Sequence, residues 1–132
     1  MGWRMWLVGM IVICIGILYD ARAMEFSSVK FVVYVPVTHA DAVRQALAAS
    51  GAGAMGNYDS CSFSVKGVGR FRAGEGADPF VGKVGELEEV EEERIETICS
   101  ADDVKKVAAA VRAAHPYEEP AIDVYPLLNL NG

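Results

Sequence analysis

From Val29 to Val35 the chain reads Val-Lys-Phe-Val-Val-Tyr-Val and then meets Pro36. A run so rich in β-branched and aromatic residues predicts a buried strand, and the proline marks its end. The apolar period then changes. Val43, Ala46, Leu47 and Ser50 recur at helical spacing behind Thr38, a candidate N-cap with Asp41 three residues on, and Gly51 offers a stop. The turn from Gly51 to Asn57 carries Gly53 and Gly56, as a phosphate cradle would. A phosphate loop, however, precedes its helix so that free amides face the anion, and this turn follows one, which makes it a structural turn. Cys61-Ser62-Phe63-Ser64-Val65 alternates like a half-buried strand and runs into a glycine-rich loop from Gly67 to Gly85 that holds Arg70, Arg72 and Asp78-Pro79. Val90 to Cys99 is the next strand, and Ser100-Ala101-Asp102-Asp103 repeats the capping pattern before a helix faced by Val104, Val107, Ala108 and Val111. Ala121 to Tyr125 closes the chain as a strand. Strand, helix, strand, strand, helix, strand is an α+β, ferredoxin-like (βαββαβ) sandwich, an antiparallel sheet with two helices on one face.

The N-terminal 23 residues stand apart from this pattern. Met5 to Tyr19 is an apolar run with Arg4 before it and Ala21-Arg22-Ala23 after it, the outline of a signal peptide. As a helix it would reach only ~22 Å, short of the roughly 30 Å hydrocarbon layer, which leaves a tilted or extended anchor as an alternative. A third reading makes Met24 the true start. The expected division is residues 1–23 as this hydrophobic segment and 24–132 as a single domain. Its location is cytoplasmic if Met24 begins the protein, and exported or membrane-anchored if the segment is retained.

Composition narrows the partners. With 52% hydrophobic residues among 132 there is ample material for one core, and a formal charge of −6 without a basic stripe excludes nucleic acid. Much of the acid lies between Glu86 and Glu96, which reads as a solvated strand face or a cation-attracting surface. Cys14, Cys61 and Cys99 are too few and too scattered for a disulfide scaffold or zinc knuckle, and the latter two read as packed thiols on neighbouring strands.

The densest chemistry is His115-Pro116-Tyr117-Glu118-Glu119-Pro120. Each proline pushes its predecessor out of the helical region, so the second helix must stop and the chain must leave it extended and stiff. Right-handed crossovers bring this connector, the loop after the first strand and the glycine-rich excursion to one end of the sheet. The chain's two histidines, His39 and His115, therefore share a pole. The candidate ligand-binding residues there are His39, Arg72, Glu75, Tyr117 and Glu119, and the candidate metal ligands are His115 and Glu118, with a divalent ion as the candidate cofactor. Adjacent Glu118 and Glu119 in an extended segment point to opposite faces, so at most one joins His115 without a bend.

Gly56-Asn57-Tyr58, Cys61-Ser62-Phe63-Ser64, Phe71-Arg72-x-Gly74-Glu75-Gly76, Asp78-Pro79-Phe80, Gly85-x-Leu87-Glu88, Arg94-Ile95-Glu96 and His115-Pro116-Tyr117-Glu118-Glu119 together carry a resemblance over about residues 29–128. The chain resembles the PII/CutA-like module inserted in the dinuclear-metal family named for the NGG-one interacting factor three, the GTP cyclohydrolase type 2 homologues. It departs from the usual pattern at Ala73, where the module has proline. The resemblance implies that only the inserted module is present, without the flanking domains that hold the family's metal site. It also implies a homo-oligomer, a trimer by analogy with PII and CutA proteins, with ligand clefts between subunits.

Three functions follow. The first is a non-catalytic binding or regulatory module that senses a small ligand or metal ion through the His115 end. The second is a metal-assisted hydrolase using His115, Glu118 and Glu119. The third is a purely structural oligomerisation module with Tyr117 and Tyr125 as anchors. No serine or cysteine has a histidine at motif spacing, so catalysis is the least supported of the three.

Overall fold

The computed structural model describes residues 26–128, and the expectations for residues 1–23 lie outside them. Strand β1 (Ser28–Pro36) leads through a 3-10 turn, Val37–His39, into helix α1 (Ala40–Ala49). Strands β2 (Phe63–Arg72) and β3 (Leu87–Ser100) form a long hairpin. A second 3-10 turn, Ala101–Asp103, opens helix α2 (Val104–Ala114), and β4 (Ile122–Leu127) completes the sheet. Its order is β2-β3-β1-β4 with every neighbouring pair antiparallel, the ferredoxin-like arrangement that the element order predicts.

The core lies between the helices and one sheet face. Val29, Phe31, Val33 and Val35 alternate along β1 toward Val43 and Leu47 of α1, Val107 and Val111 of α2, and Ile95 and Cys99 of β3. The other face of β1 presents Lys30, Val32 and Tyr34, and Val32 is fully buried there too, which is why β1 reads as apolar on both faces.

Three local expectations need correction. The second and third strands run further than alternation suggests, because β2 pairs with β3 from Phe63↔Glu96 to Arg72↔Leu87. Gly67 to Arg72 is therefore strand and the excursion shrinks to residues 73–86. Cross-strand complementarity sustains this stretch despite its glycines: Lys66 stands opposite Glu93 and Arg70 opposite Glu89, with Arg70 Nε 2.9 Å from the Glu89 carboxylate. Cys61, for its part, precedes β2 rather than lying on it. Thr38 does not cap α1. Its hydroxyl meets His39 Nδ1 at 2.8 Å, the helix begins at Ala40, and Asp41 pairs forward with Arg44. Ser100 does accept a hydrogen bond from the Asp102 amide, at 3.3 Å, but ahead of a 3-10 turn rather than of the helix proper.

Candidate functional site

Pro116 forces His115 into extended backbone at φ −86°, ψ 136°, and the chain leaves α2 toward β1. The imidazole that turns inward there is only 7% exposed. Its Nε2 lies 2.7 Å from the Tyr34 carbonyl, and its Nδ1 accepts the Tyr117 amide at 3.1 Å. A carbonyl only accepts and an amide N–H only donates, so the ring is neutral with its hydrogen on Nε2. Burial lowers the His115 pKa below the usual histidine value and His39 acts in the same direction, while the Tyr34 hydrogen bond and Glu92 oppose them.

Tyr117 comes next, with its ring centroid 5.0 Å from that of His115 and its hydroxyl donating to Glu92 Oε1 at 2.8 Å. Burial, then the hydrogen bond to Glu92 and its charge, push the phenol above its ordinary range. Glu92 reaches this position because Gly69 has no side chain: a Cβ there would collide with the Glu92 carboxylate. Phe71 and Phe80 complete an aromatic group, 6.0 and 6.3 Å from Tyr117, and Phe80 meets His39 edge-on at 5.4 Å. Across the mouth, the Asp78 amide donates to Glu118 Oε2 at 3.1 Å and ties the excursion to the connector. Between them lies a mostly apolar cleft of about 420 Å³.

The shared pole is thus real. Arg72, Tyr117, Glu118 and Glu119 line the cleft, His39 touches it through Phe80, and His115 stands behind Tyr117. Glu75 is exposed on the excursion and is not part of the lining. Sequence reasoning missed Glu92, Phe71 and Phe80 as cleft residues. Glu92 was hidden in an acidic run, and its one signal was the register that sets it opposite Gly67 and beside Gly69. The rest of the run is less bare than the sequence suggests, since Arg44 pairs with Glu93, Arg70 with Glu89 and Arg94 with Glu96.

The residues present do not fit a metal ion. Both His115 nitrogens are already bonded to backbone groups, and among the described residues no three His, Cys, Asp or Glu side chains gather in metal-holding geometry. A metal at His115 and Glu118 would have to break the Tyr34 or Tyr117 contact.

Sheet order, paired helices and a cleft at the connector pole define a CutA-like α+β module. CutA from Archaeoglobus fulgidus, a periplasmic divalent cation tolerance protein, superposes with a TM-score of 0.59 at 17% identity, over 79% of this chain and 88% of that one. CutA1 from Thermus thermophilus gives 0.58 at 21% identity, over 79% and 87%. At that identity the likeness is one of fold. The Bacillus cereus protein related to NIF3 is much nearer in sequence, with 51% identity and a TM-score of 0.69 over 81% of this chain but 27% of its own. The GTP cyclohydrolase 1 type 2 homologue of Halalkalibacterium halodurans is 56% identical over 100 residues, 76% of this chain and 27% of that protein. Its counterpart in Mycobacterium tuberculosis is 50% identical over 99 residues, 75% and 26%. No family model matches the chain. Over these residues the chain is similar to the NIF3-related GTP cyclohydrolase 1 type 2 homologues, and it spans about a quarter of the length of the curated relatives it matches.

Proposed function

We propose that the chain is a non-catalytic, PII/CutA-like binding or regulatory module that forms a homo-oligomer, a trimer in the favoured form, and takes a small ligand in the cleft between β2, the excursion and the connector. One observation carries this reading: the cleft of about 420 Å³ is walled by three aromatic rings and held in shape by the Glu118 to Asp78 bond. Its volume is that of small-molecule sites, and an apolar lining with a few placed polar groups is what such sites share. A small organic ligand is preferred to a metal ion because His115 has no free nitrogen.

The oligomer is supported by the sheet face that no helix covers. Phe63, Val65 and Tyr125 lie on it, 65%, 50% and 47% exposed, more apolar surface than a solvated sheet face ordinarily shows. The cytoplasm is the compartment that goes with this function if Met24 begins the protein.

Two measurements test the reading. Native mass spectrometry of the full chain should give a trimer, and a monomer at micromolar concentration would refute the assembly. Binding titrations with small organic cations, anions, nucleotides and divalent metals should find a ligand that the wild type binds and Tyr117→Ala does not. Binding equal in both proteins would place the ligand elsewhere.

A further inference from the structure

Three aromatic rings and a carboxylate meet in the cleft. On the face of the β2–β3 ribbon that carries Gly69 and Phe71, Glu92 Oε1 takes the Tyr117 hydroxyl hydrogen. Its Oε2 lies against Gly69 and is bonded to no donor among the described residues. The cations nearby are paired or are rooted on the other face of the ribbon. Arg94, next along the same face, is bonded to Glu96 and to the Tyr34 hydroxyl. Arg70 and Arg72 also line the cleft, but Arg70 pairs with Glu89, and by register both side chains spring from the face of the ribbon opposite Gly69 and Phe71. Glu118 and Glu119 add two further carboxylates at the rim, and the chain as a whole carries −6.

We propose that the cleft binds an organic ammonium ion, its N–H groups donating to Glu92 Oε2 and its carbon skeleton lying against Phe71, Phe80 and Tyr117. Each component suits that class of ligand. A half-buried carboxylate with one oxygen unmatched attracts a hydrogen-bond donor bearing positive charge, and charge-assisted bonds are stronger than neutral ones. The faces of aromatic rings attract cations as well, which a neutral or anionic guest does not exploit. Gly69 is the residue that makes the carboxylate available, because any side chain there would displace it from the floor. The inference rests on the reading of the cleft as a ligand site and specifies its chemistry.

Phenethylammonium, its neutral analogue 2-phenylethanol and the anion 3-phenylpropionate separate the possibilities when each is titrated into the full chain, with amide chemical shifts and calorimetry as readouts. Phenethylammonium is expected to shift the Gly69, Phe71, Phe80 and Tyr117 amides and to bind at least about tenfold more tightly than 2-phenylethanol. Glu92→Gln keeps an acceptor for the Tyr117 hydroxyl and should remove that preference. Glu91→Gln changes the adjacent residue, which faces away opposite Val68, and should preserve it. Equal affinity for the ammonium and the alcohol, tighter binding of the carboxylate, or undiminished binding by Glu92→Gln would each overturn the proposal. If the alcohol or the carboxylate shifts these amides and the ammonium does not, the cleft remains a ligand site and only the ammonium chemistry falls. If none of the three does so at millimolar concentration, both fall.

Discussion

Gly69 shows how one missing side chain organises the site. Its absent Cβ leaves the strand surface open to the Glu92 carboxylate, which in turn receives the Tyr117 hydroxyl. Gly69→Ala should therefore push the Glu92 carboxylate off the Tyr117 hydroxyl and cost about 0.5–1.5 kcal/mol, the worth of the hydrogen bond lost, as read from urea unfolding. Tyr117→Phe should cost about 0.5–1.5 kcal/mol alone and less in the Gly69→Ala background, since the bond it deletes is already disturbed. Strict additivity of the two would show that Gly69 and Tyr117 are not linked through Glu92. His115 makes a different prediction. Its folded pKa lies below the ordinary value of 6.5, so the unfolded chain binds the extra proton first as acid is added. The stabilisation is complete above about pH 6.5 and is lost as pH falls from there through the folded pKa. Urea midpoints measured from about pH 8 down to pH 5 should decline in the wild type, and the part of that decline due to His115 should vanish in His115→Gln.

Among the elements, the connector and the excursion behave as a clasp. The connector is rigid because prolines flank it and His115 pins it to β1. The excursion is tied to it by the hydrogen bond from the Asp78 amide to Glu118. Glu118→Ala should speed amide hydrogen exchange across residues 74–84 while leaving the exchange of β1 and β3 unchanged, because only a local opening is eased. Protection unaltered in the excursion would mean that the bond does not hold it. The hairpin itself rests on its ladder and its cross-strand pairs. Arg70 and Glu89 are both well exposed, so Arg70→Ala should change stability by no more than about 0.5 kcal/mol.

At the scale of the molecule, one sheet face packs on helices and the other carries exposed apolar residues. Val65→Glu places a carboxylate in the middle of that open face, across from Arg94, where a solitary subunit would tolerate it. Under the proposed assembly it should shift the native mass toward the monomer with little change in secondary structure by circular dichroism. An unchanged mass would show that subunits meet elsewhere. Much of this architecture is legible in the residues. The apolar run of β1, the helical spacing from Val43 to Leu47 and from Val104 to Val111, and the prolines around Tyr117 each determine a local conformation that survives into the fold. Thr38 was less reliable, since a capping pattern also fits a 3-10 turn in which the hydroxyl finds a side chain instead.

Sequence by itself determined the order of the elements, the stiffness of the connector and the pole at which it meets the excursion, because backbone sterics and apolar periodicity are local and topology follows from their order. Only the tertiary structure decided which side chains face one another there. Glu92 lies some twenty-five positions before its partner Tyr117 in an acidic run with no distinguishing neighbour, and the strand register brings it onto Gly69 and under the phenol. His115 stood out in the sequence as a candidate metal ligand, but packing placed a carbonyl and an amide against its two nitrogens, and that pairing makes it a structural pin.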